Sequence, residues 1–193
     1  MAWDTEETQQ RLLRAAIKEF SSSGFAGARI DRISKLSGCN KERIYFYFGG
    51  KAQLFEAALT QQLVTALEGI AVTGSGPRAA GEFAGRYFDA SLAQPDLARL
   101  TLWEGLERGS PVDAERRACR ATRKVEDLRE ALPGADRKAV EELLLTIVTL
   151  CHGWVGSPNL ISVITSDAGD VRRRQAVVRV AELLAADAVA PSA

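Results

Sequence analysis

A cationic and aromatic surface is predicted on one short helix near the start of the chain. Ile44 and Phe48 lie four residues apart, and we expect both to point toward a core. The remaining faces then carry cations that can bind phosphates or read base edges, and phenols that can donate to phosphates. These side chains are Lys41, Arg43, Tyr45 and Tyr47. Their chemistry favours nucleic-acid binding.

The residues before this helix predict a helix-turn-helix that would position it. Ile30, Ile33 and Leu36 recur at three-residue spacing, as expected for one face of a first helix. Gly38 can adopt the left-handed conformation that ends a helix, and Asn40 is a favourable N-cap for the next one. A helix-turn-helix places its second helix in the DNA major groove. Any two amphipathic helices joined by a glycine turn share this pattern, so a purely structural role stays open at this point.

The stretch from Thr8 to Phe55 resembles the N-terminal domain of the TetR family of transcriptional regulators. The resemblance implies a three-helix DNA-binding head, and it implies that Lys51 meets a phosphate near a helix N-terminus. The matching residues are Ala15, Ala16, Phe20, Gly24, Phe25, Ile33, Gly38, Lys41, Ile44, Tyr45, Phe46, Tyr47, Phe48, Lys51, Leu54 and Phe55.

Two departures from the family pattern affect the expected DNA contacts. Members usually have a Thr or Ser cap before the first helix of the motif, where this chain has Gly27-Ala28-Arg29. We therefore expect a weaker cap, with Arg29 reaching a phosphate instead. Members commonly have small residues after the lysine, where this chain has Glu42 and Arg43. Glu42 would repel phosphate, so it faces away, pairs with Lys41 or Arg43, or accepts from a cytosine amino group.

The predicted DNA-binding set combines the residue chemistry with the resemblance. Tyr45 and Tyr47 keep an alternative as packed aromatic residues, and Phe46 and Phe48 are assigned to the core. The set is Arg29, Asn40, Lys41, Arg43, Tyr45, Tyr47 and Lys51.

The local charge around the motif supports this assignment, whereas the net charge of the whole chain does not. The chain has 193 residues, with 25 basic and 25 acidic side chains and a formal net charge of zero. A neutral chain by itself argues against a nucleic-acid binder. Between Thr8 and Lys51, however, nine basic residues face three acidic ones, a local net of +6. Positive charge is thus concentrated at the motif.

Cysteine usage and hydropathy predict a cytoplasmic protein. Cys39, Cys119 and Cys151 are odd in number and widely separated, which is typical of reduced thiols and not of a zinc or redox site. The first ten residues are acidic and polar, so we expect no signal peptide. The most apolar stretch, residues 143–155, is shorter than a membrane span. We expect neither a metal nor a cofactor.

Beyond the head the pattern is helical throughout, so the predicted fold is all-α with about nine helices. The fourth helix is expected to begin at Lys51 and to continue to about Val72. Ser110-Pro111 predicts a cap followed by a proline in the first helical turn. We predict a head over residues 1–50 and a helical ligand-binding and dimerisation domain over residues 51–193. The further helices are expected over about 78–93, 96–108, 111–132, 136–155 and 170–188.

The resemblance implies a homodimer and a small-molecule pocket in the second domain. The dimer is assigned to the last two predicted helices, 136–155 and 170–188, whose apolar patterns agree with a four-helix bundle. Arg172, Arg173 and Arg174 are expected to be solvated or paired across that interface. Candidate pocket residues, for which simple core or interface roles remain the alternative, are Phe83, Tyr87, Trp103, His152 and Trp154.

The predicted function is that of a sequence-specific transcriptional regulator. The resemblance to the family implies a repressor that an unknown small molecule releases from a near-palindromic operator. A helical interaction protein whose head binds another protein is one alternative, and a ligand-independent regulator is another. An enzyme is not expected, because the chain has a single histidine and no nucleophile elbow, phosphate loop or metal-ligand cluster.

Overall fold

The computed structural model describes residues 2–66, 69–167 and 169–190, with backbone alone at 2–4, 65 and 66. Within these residues the chain forms ten α-helices and no strand, which confirms the all-α prediction. The helices are α1 (Ala2–Gly27), α2 (Ile30–Ser37), α3 (Lys41–Phe48), α4 (Lys51–Ala66), α5 (Pro77–Ala93), α6 (Pro95–Glu107), α7 (Ala114–Ala131), α8 (Arg137–Gly156), α9 (Pro158–Ile164) and α10 (Asp170–Ala188).

The chain divides into two compact units, each formed by two stretches of sequence. The first unit contains residues 1–64 and 96–114, and the second contains residues 65–95 and 115–193. Most of α4 and nearly all of α6 therefore belong to the same unit as the helix-turn-helix. The predicted domain boundary between residues 50 and 51 divides the expected DNA-binding part from the expected ligand-binding and dimerisation part, and it stays a prediction.

Three phenylalanine rings form the centre of the first unit. The ring of Phe55 lies edge-on to the ring of Phe20 at 5.1 Å and to the ring of Phe25 at 5.6 Å. Phe25 follows Gly24, which interrupts α1 with φ of 70°. A Cβ at Gly24 would come within 2.9 Å of the side chains of Trp103 and Glu107, so backbone angle and close approach both require glycine there.

The core of the second unit lies between α5, α7, α8 and α10. Phe83 and Phe88 of α5 pack with Leu128 of α7, Leu143 of α8 and Val177 of α10, all of them buried. Of the described helices, α8 alone is long and apolar enough to cross a membrane by length and composition. The core helix of a folded protein passes the same test, and α8 buries Val140, Leu143, Leu144, Ile147 and Cys151 in this unit.

Two predicted helix boundaries are wrong, and one helix was not predicted. The chain after α4 is already a turn at Gly69, so the helix does not continue to Val72. The helix expected at Ser110-Pro111 begins at Ala114 instead, because buried Glu104 of α6 accepts from the Val112 amide at 2.6 Å and holds the preceding residues in a turn. The helix α9 was not predicted, although it too begins with a Ser-Pro pair, Ser157-Pro158.

Candidate nucleic-acid interface

The N-terminus of α2 is capped by a residue from α1. Arg29 occupies the N-cap position and makes no side-chain cap, as expected from its type. Its backbone N–H donates to Oε1 of Glu19 at 3.0 Å, and the same oxygen pairs with Nε of Arg32 at 2.9 Å. Glu19 is buried with 4% of its surface exposed, and a carboxylate at a helix N-terminus also complements the helix dipole. The side chain of Arg29 stays exposed.

The turn between α2 and α3 is held by a second residue of α1. Gly38 adopts the left-handed conformation, with φ of 66°, that the sequence predicts. Arg11 donates from Nη2 to the Ser37 carbonyl at 2.7 Å and from Nε at 3.1 Å, which satisfies the C-terminal end of α2. Asn40 caps α3 by accepting from the Arg43 amide at 3.3 Å, so its predicted capping role is confirmed.

The outer surface of α3 carries the predicted polar side chains and one unexpected aromatic ring. Ile44 is fully buried, whereas Tyr45 has 54% of its surface exposed and Tyr47 is half-buried. The assignment of Phe46 to the core is wrong, because 81% of its surface is exposed. Phe46 lies two residues from Ile44, which places it on the opposite side of the helix. Phe48, one turn after Ile44, is half-buried.

The cations of α3 have partners within the head. Lys41 pairs with Asp31 of α2, and this hydrogen bond and the attraction of Asp31 raise the pKa of Lys41 above its usual value. Arg43 donates from Nη1 to Oγ1 of Thr8 on α1 at 3.1 Å. Glu42 is exposed and lies outside both pairs, so of the three predicted alternatives its pairing with Lys41 or Arg43 is not observed.

Lys51 lies at the start of α4, over the last residues of α1 that follow its break at Gly24. Its Nζ donates to the Ala26 carbonyl at 3.2 Å and lies 5.0 Å from the centre of the Phe25 ring. The amides of Phe25 and Ala26 both donate to Oε2 of Glu107, at 2.5 Å and 3.1 Å. A carboxylate from α6 thus binds the end of α1 against which the Lys51 ammonium rests.

Trp103 lies in the first unit, apart from the other four candidate pocket residues. Its indole N–H donates to the Ser21 carbonyl at 3.3 Å, and its ring lies against Gly24. Phe83, Tyr87, His152 and Trp154 belong to the second unit. The five candidates are therefore divided between the two units.

Tyr87 and His152 form a polar pair among apolar residues. The Tyr87 hydroxyl lies 2.9 Å from Nε2 of His152, and the two rings are stacked with centres 5.9 Å apart. Burial raises the pKa of the Tyr87 hydroxyl. Burial, followed by the nearby charge of Arg117, lowers the pKa of His152 to about 4. The imidazole is therefore neutral at pH 7, as expected for a buried histidine.

The three arginines at the start of α10 have partners within the chain. Arg172 pairs with Asp167 at 3.2 Å, and Nε of Arg174 lies 2.8 Å from Oδ1 of Asp89. The Arg173 guanidinium lies 5.4 Å from the ring centre of Trp154, whose indole N–H donates to Asp170 at 2.9 Å.

The chain matches two family descriptions, one for each part. Residues 12–58 match "Bacterial regulatory proteins, tetR family", and residues 80–182 match "Tetracyclin repressor-like, C-terminal domain".

Two curated relatives match this chain over very different lengths. The HTH-type transcriptional repressor SCO4008 of Streptomyces coelicolor is 33% identical over 187 residues, which cover 93% of this chain and 96% of that protein. The HTH-type transcriptional repressor NicS of Pseudomonas putida is 45% identical over 58 residues, covering 30% of this chain and 27% of that protein.

Among solved structures, a putative transcriptional regulator of Streptomyces coelicolor, SCO4942, superposes with a TM-score of 0.76. It is 30% identical to this chain, and the match covers 92% of this chain and 97% of the other. The similarity therefore extends along both parts of the fold, well beyond the helix-turn-helix.

Proposed function

This chain belongs to the TetR family of transcriptional regulators, and from that premise we propose that it is a repressor released from its operator by a small molecule. The family is one of DNA-binding regulators and not of enzymes, which confirms both predictions. A repressor role is supported by the identity shared with the repressor SCO4008 along nearly the whole length of both chains. We propose that it acts in the cytoplasm, where its DNA would be.

The observation that carries the DNA-binding proposal is the exposed cationic and aromatic surface of α3. In our proposal α3 enters the major groove, where Lys41 and Arg43 contact base edges. Asp31 competes for Lys41 in the free protein, so this pair opens or tilts when a base or phosphate oxygen replaces the carboxylate. The exposed ring of Phe46 adds an apolar group that could contact a thymine methyl.

Contacts to the DNA backbone are proposed for the residues that border α3. Asn40, at the start of α3, and the exposed side chain of Arg29, at the start of α2, would lie where the motif meets phosphates. Lys51 rests its ammonium on a carbonyl and an aromatic face, and a phosphate would be a stronger partner than either. Tyr45 and Tyr47 would donate hydroxyl hydrogen bonds to phosphates.

A homodimer is proposed to hold two such heads on one operator. TetR-family regulators usually dimerise, and α8 and α10 of this chain expose the apolar side chains of Leu145, Val180, Leu183 and Leu184. These two helices are the pair predicted as the last two, with α9 now found between them. A two-fold dimer favours a near-palindromic operator with half-sites at least about one helical turn, ~34 Å, apart.

The effector site is proposed within the second unit. The ring of Tyr87 lies 6.1 Å from the ring of Phe83, and its hydroxyl forms a hydrogen bond with His152. Polar groups beside apolar rings are a combination that suits small-molecule binding. Release of DNA would require the effector to bind one conformation of the dimer more tightly than the other. A ligand-independent regulator remains the alternative to this part of the proposal.

Fluorescence anisotropy with the DNA that flanks the gene of this protein tests the central proposal. We expect tight binding that prefers the flanking DNA over a scrambled duplex and that weakens steeply as salt rises, because phosphate contacts release counterions. No binding to any DNA at low salt would contradict the proposal and favour a head that binds another protein. Once binding is established, loss of anisotropy on adding candidate small molecules identifies the effector.

A further inference from the structure

We infer that α9 is part of the dimer interface, where an apolar ridge on α9 of each copy enters a groove beside α9 of the other. The ridge consists of Leu160, Val163 and Ile164, and the groove lies between α8, α9 and α10. This inference rests on the proposed dimer and adds to it a contact outside the four-helix bundle of α8 and α10.

The sequence around α9 lacks the charges that a solvent-exposed segment of this protein would carry. Charged residues make up 26% of the chain, yet none of the 24 residues at 143–166 is Asp, Glu, Lys or Arg. Residues 143–156 of this segment belong to α8, which buries Leu143, Leu144, Ile147 and Cys151 in the core. The rest contains α9, which buries no side chain fully in the single chain.

The ridge itself is strongly exposed. Val163 has 84% of its surface exposed, Ile164 has 71% and Leu160 has 59%. Their spacing of three and four residues places them on one side of the helix. A helix of seven residues is too short to be stable by itself in water, so packing has to maintain it. Contiguous exposed apolar groups of this kind mark an interaction surface.

The groove next to the ridge is apolar and open to solvent. It has a volume of about 310 Å³ and is bordered by Leu150 and Trp154 of α8 and by Ile161 of α9. Leu160 and Ile164 of the ridge also line it, so the ridge forms one wall of the groove and Val163 lies outside it. One water molecule takes about 30 Å³ of liquid, so the groove has room for side chains. Arg173 also borders it, and its buried Nε has no hydrogen-bond acceptor within the described part of the chain.

A second copy suits this surface because ridge and groove adjoin each other on the same chain. In a two-fold interface the same patch occurs on both subunits, so the ridge of each copy can fill the groove of the other. The exposed apolar residues Leu145 on α8 and Val180 and Leu184 on α10 belong to the same unit and the same pair of helices that border the groove. The ridge therefore lies on the segment that joins the two helices assigned to the dimer.

A small molecule and a membrane surface are two other possible occupants, and each suits this surface less well than a second copy does. A small molecule in the groove would leave Val163, which does not line it, exposed to water. A membrane surface attracts helices that carry Lys or Arg on their polar face, and α9 carries neither. A second copy covers ridge and groove together.

The test is the dimer dissociation constant of the full chain, measured by sedimentation equilibrium. Val163→Asp should raise that constant at least tenfold, because a carboxylate would be buried without a partner in the dimer. The side chain is so exposed in the single chain that folding should not change, as circular dichroism would verify. The matched control is Leu106→Asp, at a residue with 76% of its surface exposed on α6 of the first unit, which should leave the constant unchanged.

A third variant separates this inference from the proposed dimer. Leu183→Asp on α10 tests the bundle itself. If it dissociates the dimer while Val163→Asp dimerises as tightly as the wild type, the role of α9 is wrong and the bundle stands. A wild-type chain that stays monomeric would overturn both. If Val163→Asp changes binding to anionic phospholipid vesicles but not the dimer constant, the ridge faces a membrane and the inference is likewise wrong.

Discussion

In the free protein, different groups orient the residues that are proposed to contact DNA. Lys41 and Arg43 of α3 each have a partner in the head, Asp31 and Thr8, which orients them before DNA arrives. Lys51 is oriented by a carbonyl and an aromatic ring. Pre-oriented side chains lose less conformational entropy on binding than free ones do. Exposed ion pairs such as that of Lys41 contribute little to stability, so opening it for DNA costs little.

Replacing Lys51 and Arg43 in turn should separate positioning from base recognition. Lys51→Ala should weaken binding to every DNA sequence alike and lower the salt slope by about one, because one phosphate contact is lost. Arg43→Ala should cost about 1 to 3 kcal/mol on the preferred sequence and relax the preference at one base pair. Anisotropy titrations on the operator and on its single-base variants at several salt concentrations measure both effects.

Lys138→Ala is the control for these two variants, since Lys138 is an exposed cation on α8 in the second unit. It should change neither affinity nor salt slope. If Lys51→Ala altered the sequence preference and left the slope unchanged, the roles assigned to Lys51 and Arg43 would be wrong.

The residue types of this site were predictable, but their partners were not. The turn glycine Gly38 and the cap Asn40 follow from the local preferences of glycine and asparagine, and both are found where expected. The contacts of Arg11 and Glu19 with the helix-turn-helix join residues far apart in sequence, so no local pattern indicates them. The core assignment of Phe46 followed from its apolar character alone, and the helical geometry around Ile44 overrules it.

At the scale of elements, side chains from neighbouring helices accept hydrogen bonds from backbone amides at the helix ends of the head. Glu19 of α1 caps α2, and Glu107 of α6 accepts from the amides after the break in α1. An unsatisfied buried amide costs about 1 to 3 kcal/mol, so each carboxylate fixes the angle between two elements. The position of α2 therefore depends on α1 at both of its ends, through Glu19 at its start and through Arg11 at its end.

Removing the Glu19 carboxylate should loosen the motif. Glu19→Ala leaves the Arg29 amide without its acceptor and Arg32 without its ion pair, and we expect a loss of about 1 to 3 kcal/mol in the free energy of unfolding. Urea denaturation followed by circular dichroism measures this change. The control, Glu7→Ala, removes an exposed carboxylate of the same helix and should change stability by less than about 0.5 kcal/mol. Equal effects of the two substitutions would show that Glu19 does not act as a cap.

Two Ser-Pro pairs show where local rules for helix starts succeed and fail. Ser157-Pro158 opens α9, with the proline in the first turn. Ser110-Pro111 opens no helix, because Glu104 binds the Val112 amide and Asp113 adopts a positive φ of 53° before α7 begins. The dipeptides are identical, so the difference comes from the tertiary contact of a buried glutamate. The sequence pattern alone does not predict that contact.

At the scale of the whole molecule, the compact units are not continuous in sequence. The chain passes between the two units after residues 64, 95 and 114, so residues 96–114 belong to the same unit as the head whereas 65–95 belong to the other. A boundary placed from sequence assumes that each domain is one segment. Composition and periodicity indicate that α6 is a helix, but only its contacts through Trp103 and Glu107 assign it to the first unit.

The stability of the chain should depend on pH through its single histidine. Burial lowers the pKa of His152 to about 4, whereas an unfolded histidine titrates near 6.5. Between these values the unfolded chain binds a proton that the folded chain does not, so the free energy of unfolding falls as the pH falls through this window. The full contribution is present above pH 6.5, and about 3 kcal/mol of it is lost by pH 4 and below.

Urea denaturation of the wild type and of His152→Gln at several pH values measures this contribution. Carboxylates titrate in part of the same window, but they are common to both proteins, so the difference between the two stabilities reports His152 alone. We expect that difference to shrink from pH 7 to pH 4, because only the wild type gains a proton on unfolding there. A difference that stays constant with pH would mean that His152 titrates alike in both states and is not held neutral beside Tyr87.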